Sequence, residues 1–98
     1  MKIKYRNNQL QKICTNASVA RREYGVDMAR KIHQRIDQIE AAETVEILLL
    51  GHIGRCHLLH GDRENQYAMD LVHPYRLIFT KQGERIQIAE IQEIVDYH

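Results

Sequence analysis

A two-layer α+β fold is predicted for this chain: an N-terminal strand and helices, followed by a four-strand antiparallel meander. Two changes of period carry that prediction. From Ala17 to about Ala42, apolar side chains recur every three or four positions, the repeat of an amphipathic helix. After Gly54 they recur at every second position, the repeat of a half-buried strand, and short polar turns separate the runs. Short turns force neighbouring strands to be antiparallel, and a sheet with one apolar face needs helices to cover it. With 98 residues there is no room for a second core, so 1–98 is read as a single domain.

Lys2 to Arg6 alternates polar and apolar residues and suits a short strand with Ile3 and Tyr5 facing the core. Asn7-Asn8 turns the chain, and Leu10 and Ile13 give one or two helical turns that end near Thr15-Asn16. Tyr24, Met28, Ile32, Ile36 and Ile39 then form one apolar stripe. Gly25 breaks that run into a shorter and a longer helix, with Asp27 near the second start. Glu43 to Leu50 reads as a short third helix or turn, closed by Gly51 and Gly54.

Arg55 to His60 is the first strand of the meander, and Asp62 to Asn65 is a polar turn. Tyr67, Met69 and Leu71 alternate with Ala68, Asp70 and Val72 as the next strand. His73-Pro74 breaks it, because proline restricts the residue before it and has no donor. Tyr75, Leu77 and Phe79 alternate with Arg76, Ile78 and Thr80, and Lys81 to Glu84 is a hairpin turn. Arg85 to Tyr97 is the last and longest strand. Its apolar parity slips between Ile88 and Ile91, which predicts a bulge or burial on both faces.

A hydrophobic share of 44% and a charged share of 28% belong to a folded globular chain. The longest apolar run, Val45 to Leu50, is interrupted by Glu46 and falls far short of the roughly 20 residues of a membrane span. The basic start lacks a following apolar stretch, so no secretion signal and no membrane association are expected, and the location expected is cytoplasmic. Cys14 and Cys56 stand in no pairing motif and read as reduced thiols used as small apolar residues. Net charge is +1 but unevenly spread. Residues 1–35 carry nine Lys/Arg against two acids, and residues 36–98 carry five against eleven, so the halves stand at +7 and −6. The basic half suits either a phosphate backbone or an acidic partner protein.

Six histidines are present, five of them after residue 50. His57 and His60 have a spacing that would place two metal ligands together on a helix but on opposite faces of a strand, and no Cys-x-x-Cys or His-Glu-x-x-His accompanies them. Neither a metal nor another cofactor is therefore expected. Asp96 and His98 are two apart on a strand and share a face, with Tyr97 on the other. An acid beside an imidazole orients it for acid–base work. Arg76 alternates with the apolar Leu77 and Phe79 and can reach a phosphate from the far side of the sheet. Taken singly, each of these residues also has an ordinary reading as an exposed strand arginine or a chain end.

The run His57-Leu58-Leu59-His60-Gly61-Asp62-Arg63, then Tyr75-Arg76-Leu77-Ile78-Phe79, then Glu93-Ile94-Val95-Asp96-Tyr97-His98 resembles the HigB (host inhibition of growth) type of the RelE/ParE toxin superfamily. The resemblance spans nearly the whole chain. It implies a RelE-like fold and the toxin of a type II toxin–antitoxin system, a metal-independent endoribonuclease that binds the ribosome and cuts mRNA. The active residues it implies are His57, Arg76, Asp96, Tyr97 and His98. Some members carry lysine where this chain has His60, which removes a fixed positive charge there. The implied partners are the ribosome with its mRNA and a HigA-like helix-turn-helix antitoxin, with operator DNA reached only through that antitoxin.

RNA brings its own nucleophile, the 2′-hydroxyl, so the reaction asks for a base, an acid and a cation near the phosphorane. His57 and His98 are the acid–base candidates, without a choice between them. Asp96 orients one of them, Arg76 grips the phosphate, and Tyr97 stacks on a base or donates a hydrogen bond. His60, Arg63, Arg21, Arg22, Lys31 and Arg35 are secondary substrate contacts. Two other readings stand beside this one: a ParE-like DNA gyrase poison, and an inactive toxin-like module that only binds an antitoxin. The nuclease reading requires His98 to return beside His57, with Arg76 between them.

Overall fold

The computed structural model describes residues 1–63 and 65–97 and has the α+β architecture expected, with four helices and a five-strand sheet. The first strand, β1 (Lys2–Tyr5), is followed by α1 (Asn8–Thr15), α2 (Ala17–Tyr24), α3 (Val26–Ala41) and α4 (Val45–Leu50). The strands β2 (His57–Leu58), β3 (Gln66–Asp70), β4 (Tyr75–Gln82) and β5 (Ile88–Asp96) complete the chain. Sheet order is β1-β5-β4-β3-β2. The last four strands form the antiparallel meander, and β1 adds to its far edge in parallel with β5.

Side chains chosen for their hydrogen-bonding reach set the helix boundaries. Asn7 Oδ1 accepts from the Leu10 N–H at 2.9 Å and starts α1. Asn16 both ends α1, donating its N–H to the Lys12 carbonyl, and starts α2 by accepting from the Ser18 and Val19 N–H groups. Gly25 has φ +88, which a side chain would disfavour, and separates α2 from α3 as expected. Along α3 the buried positions are Met28, Ala29, Ile32, Ile36 and Ile39. They join Tyr67, Met69, Leu71, Leu77, Phe79, Ala89 and Ile91 from one face of the sheet in a single apolar core. Cys14 and Cys56 are both buried in that core as free thiols, and burial pushes each up to about 12.

Three expectations need correction. The strand expected over 55–60 is only His57–Leu58, because residues 52–55 form a tight turn in which His52, Gly54 and Arg55 all have left-handed backbone, with φ of 51, 57 and 54. Strand β5 starts at Ile88, not Arg85. The buried Gln87 instead accepts from the Val45 N–H at 2.8 Å and donates to Glu46 at 2.7 Å, tying the β4–β5 turn to the start of α4. The bulge lies at Gln92, just past the interval expected, since Ile78 pairs with Glu93 and Phe79 with Ile91.

Gly54 locks the turn before β2 to α3. A Cβ there would stand 2.7 Å from Arg35 Nε and 2.9 Å from Arg35 Cζ. That guanidinium is held in place, donating to the Asp70 carbonyl at 2.7 Å and to Gln38 Oε1 at 2.9 Å. Gly54→Ala is therefore expected to cost about 1–3 kcal/mol through strain at positive φ and displacement of Arg35. The readout is a thermal melt, with a fall of at least about 4 °C expected for a domain this size. An unchanged melting temperature would contradict the role given to this glycine.

Candidate functional site

Strand register assembles the site on the sheet face turned away from the helices. Val95, Arg76 and Asp70 lie abreast on β5, β4 and β3, and Glu93, Ile78, Ala68 and His57 form the adjacent row. Alternation puts both rows on the same face, opposite the one that carries Leu77 and Phe79. Ala68 and Ile78 are fully buried between the polar groups and make an apolar floor. His57 and Arg76 are thus two strands apart, roughly 10 Å across the sheet, a gap that two long side chains and one phosphodiester can bridge.

Asp70 is the electrostatic centre. Its carboxylate accepts from Arg55 Nε at 2.6 Å and Arg55 Nη2 at 3.1 Å, a two-pronged pairing, and lies 3.6 Å from Arg76 Nε. The hydrogen bond from Arg55 is the main cause that holds Asp70 below the ordinary carboxylate range; the charges of Arg55, Arg76 and His57 act in the same direction. The same bond raises the Arg55 guanidinium. Arg55 also serves His57, whose Nδ1 lies 2.8 Å from the Arg55 carbonyl. A carbonyl oxygen can only accept, so Nδ1 carries a proton, and in the neutral form of the ring the lone pair lies at Nε2.

Tyr97 closes the cleft at the other end. Its N–H donates to the Pro74 carbonyl at 3.0 Å, fixing the chain just past β5 against the turn that holds the cis His73-Pro74 bond. The Arg76 guanidinium lies 4.6 Å from the centre of the Tyr97 ring, and Arg63 lies 5.9 Å from it. Arg63 is itself held by Glu93 and Gln66, each at 3.2 Å. A small cleft opens here, bounded by Arg55, Asp70, His73, Arg76 and Tyr97.

Of the residues expected at the site, His57, Arg76, Tyr97 and Arg63 share this face. Asp96 ends β5 opposite Tyr75, so its parity is that of the other face. His98 lies outside the described residues. His60 is exposed between β2 and the turn at Gly61–Arg63. Arg21 and Arg22 on α2 and Lys31 on α3 belong to the helical layer, on the opposite side of the sheet. Arg35 bridges the layers, bonded to the Asp70 carbonyl, and burial lowers its guanidinium from the ordinary value. Among the described residues no cluster of His, Cys, Asp or Glu is placed to hold a metal ion, and no helix is long and apolar enough to cross a membrane.

Sequence reasoning missed Asp70 and Arg55. Asp70 had a signal: it is the one carboxylate in the alternation Tyr67-Ala68-Met69-Asp70-Leu71, hence on the sheet's outer face beside β4. Arg55 had none, because its place depends on a left-handed turn that the surrounding sequence does not announce.

No family model matches this chain, and no curated protein matches it. Among solved structures it is similar to a YoeB/ParE toxin from Agrobacterium tumefaciens, with a TM-score of 0.68 over 100% of each chain and 14% sequence identity. At that identity the likeness is one of architecture: the two-layer α+β fold of this chain is that of a YoeB/ParE toxin.

Proposed function

We propose that this chain is the toxin of a type II toxin–antitoxin pair and that it cleaves mRNA on the ribosome through the RNA 2′-hydroxyl. The observation that carries the reading is the shared face of His57, Arg76 and Tyr97, on a fold also seen in a toxin. In the reaction, the 2′-oxygen attacks phosphorus as the bond to the 5′-oxygen breaks. A 2′,3′-cyclic phosphate and a 5′-hydroxyl result. The 2′-proton passes to a base, and the departing oxygen takes a proton from an acid. His57 Nε2 is oriented for one of these transfers by the Arg55 carbonyl. His98 takes the other in this proposal, on the resemblance of the terminal Asp-Tyr-His, which also names Asp96 as its orienting acid although the parity of β5 turns Asp96 to the other face. Arg76 stabilises the charge on the phosphorane, and Tyr97 offers a ring for a base to stack on.

The partner proposed is a HigA-like antitoxin, and the basic half of the sequence is matched to ribosomal RNA. The reading is tested by inducing the chain in a host and mapping transcript 5′ ends. New ends within translated codons, in register with the reading frame, are expected. DNA breaks without such ends would replace the nuclease reading by that of a gyrase poison.

A further inference from the structure

We propose that Arg55 is a second phosphate-binding residue, and that Asp70 is the positioning residue that spaces it from Arg76 to form a two-guanidinium clamp for a nucleic-acid backbone. The proposal rests on the nuclease reading for its substrate and goes beyond it in the residues that hold the strand. Three observations support it. First, Arg55 and Arg76 converge on one carboxylate from two separate elements, the turn at 53–55 and strand β4. Second, the Arg55 side chain is 63% exposed although its Nε and one Nη are engaged, so its other N–H donors face solvent at the mouth of the cleft. Third, Arg55 holds a left-handed backbone, uncommon for a residue with a side chain. That conformation lets one residue meet Asp70 with its guanidinium and His57 with its carbonyl.

The charges make chemical sense of the carboxylate. Two guanidinium groups repel each other, and Asp70 offsets that repulsion while leaving the trio a net charge of +1. A phosphodiester entering the cleft meets two forked donors with fixed spacing, one at the reacting phosphate through Arg76 and one at its neighbour through Arg55. Lysine cannot substitute at position 55 in this scheme, because the Arg55–Asp70 contact uses two nitrogens at once.

The test uses the full chain and a fluorescent single-stranded RNA with 2′-O-methyl groups, which blocks cleavage, titrated at several salt concentrations. Arg55→Ala is expected to weaken binding at low salt about tenfold, and to reduce the slope of log K against log salt by roughly 0.7, the contribution of one single-strand phosphate contact. Arg55→Lys, which keeps the charge but loses the fork, should not restore wild-type affinity. Cleavage on programmed ribosomes supplies the second readout. Asp70→Asn should lower the rate at saturation about tenfold without raising the half-saturating concentration, since both guanidinium charges remain and it is their alignment by the carboxylate that is lost. An Arg55→Ala variant with wild-type affinity and slope would overturn the clamp. Loss of cleavage in Arg76→Ala beside such a result would leave the nuclease reading standing. Retention of the binding effects in a chain that cuts no RNA would instead uphold the clamp and remove the nuclease.

Discussion

On the nuclease reading proposed above, Arg76→Ala is expected to slow mRNA cleavage by about two to three orders of magnitude, the loss typical when one preorganised donor to a developing anion is removed. The size follows from how fully the side chain is held before substrate arrives. It is 28% exposed, lies 3.6 Å from the Asp70 carboxylate and sits over the Tyr97 ring. Little reorganisation is then needed in the transition state. Stability should change little, because Asp70 keeps its closer partner Arg55 and no buried charge is stranded. Single-turnover cleavage by the variant, beside its thermal melt, separates the two effects. Arg76→Lys should recover only a small part of the rate, since a single ammonium cannot reproduce the fork. A cleavage rate within threefold of wild type would remove Arg76 from the chemistry.

The fold was largely legible because its signals are local. The stripe from Tyr24 to Ile39, the interruption at Gly25 and the alternation along β3 and β4 are each set by residues a few positions apart. The parallel pairing of β1 with β5 was not, since nothing near Lys2–Tyr5 specifies a partner more than eighty positions away. The same distinction applies to the site. Arg76 was recognisable from its parity against Leu77 and Phe79 on its own strand. Which end residue joins it depends on cross-strand register: Val95 pairs with Arg76, so Tyr97 shares its face and Asp96 does not. The hub at Asp70 needs three separate segments to meet, and its Arg55 arm needs a backbone conformation that the sequence does not encode in any recognisable turn motif.

Phe79→Ala is the substitution expected to damage the fold most. Phe79 is fully buried, its ring stacks on Tyr67 at 5.5 Å, and its strand partners are Tyr67 and Ile91, both in the core. Removing such a ring costs about 3–5 kcal/mol, a large part of the roughly 5–15 kcal/mol that holds a domain together. The melting temperature should fall by more than about 12 °C. Cleavage at 37 °C should fall with it, but for a reason unlike that in Arg76→Ala. Phe79 lies on the helix-facing side of β4, so it touches none of the groups on the cleft face. Per folded molecule, the variant should therefore cleave at close to the wild-type rate when assayed well below its melting temperature. A variant that melts like wild type yet fails to cleave would contradict that separation, because it would place the chemistry on the face occupied by the core.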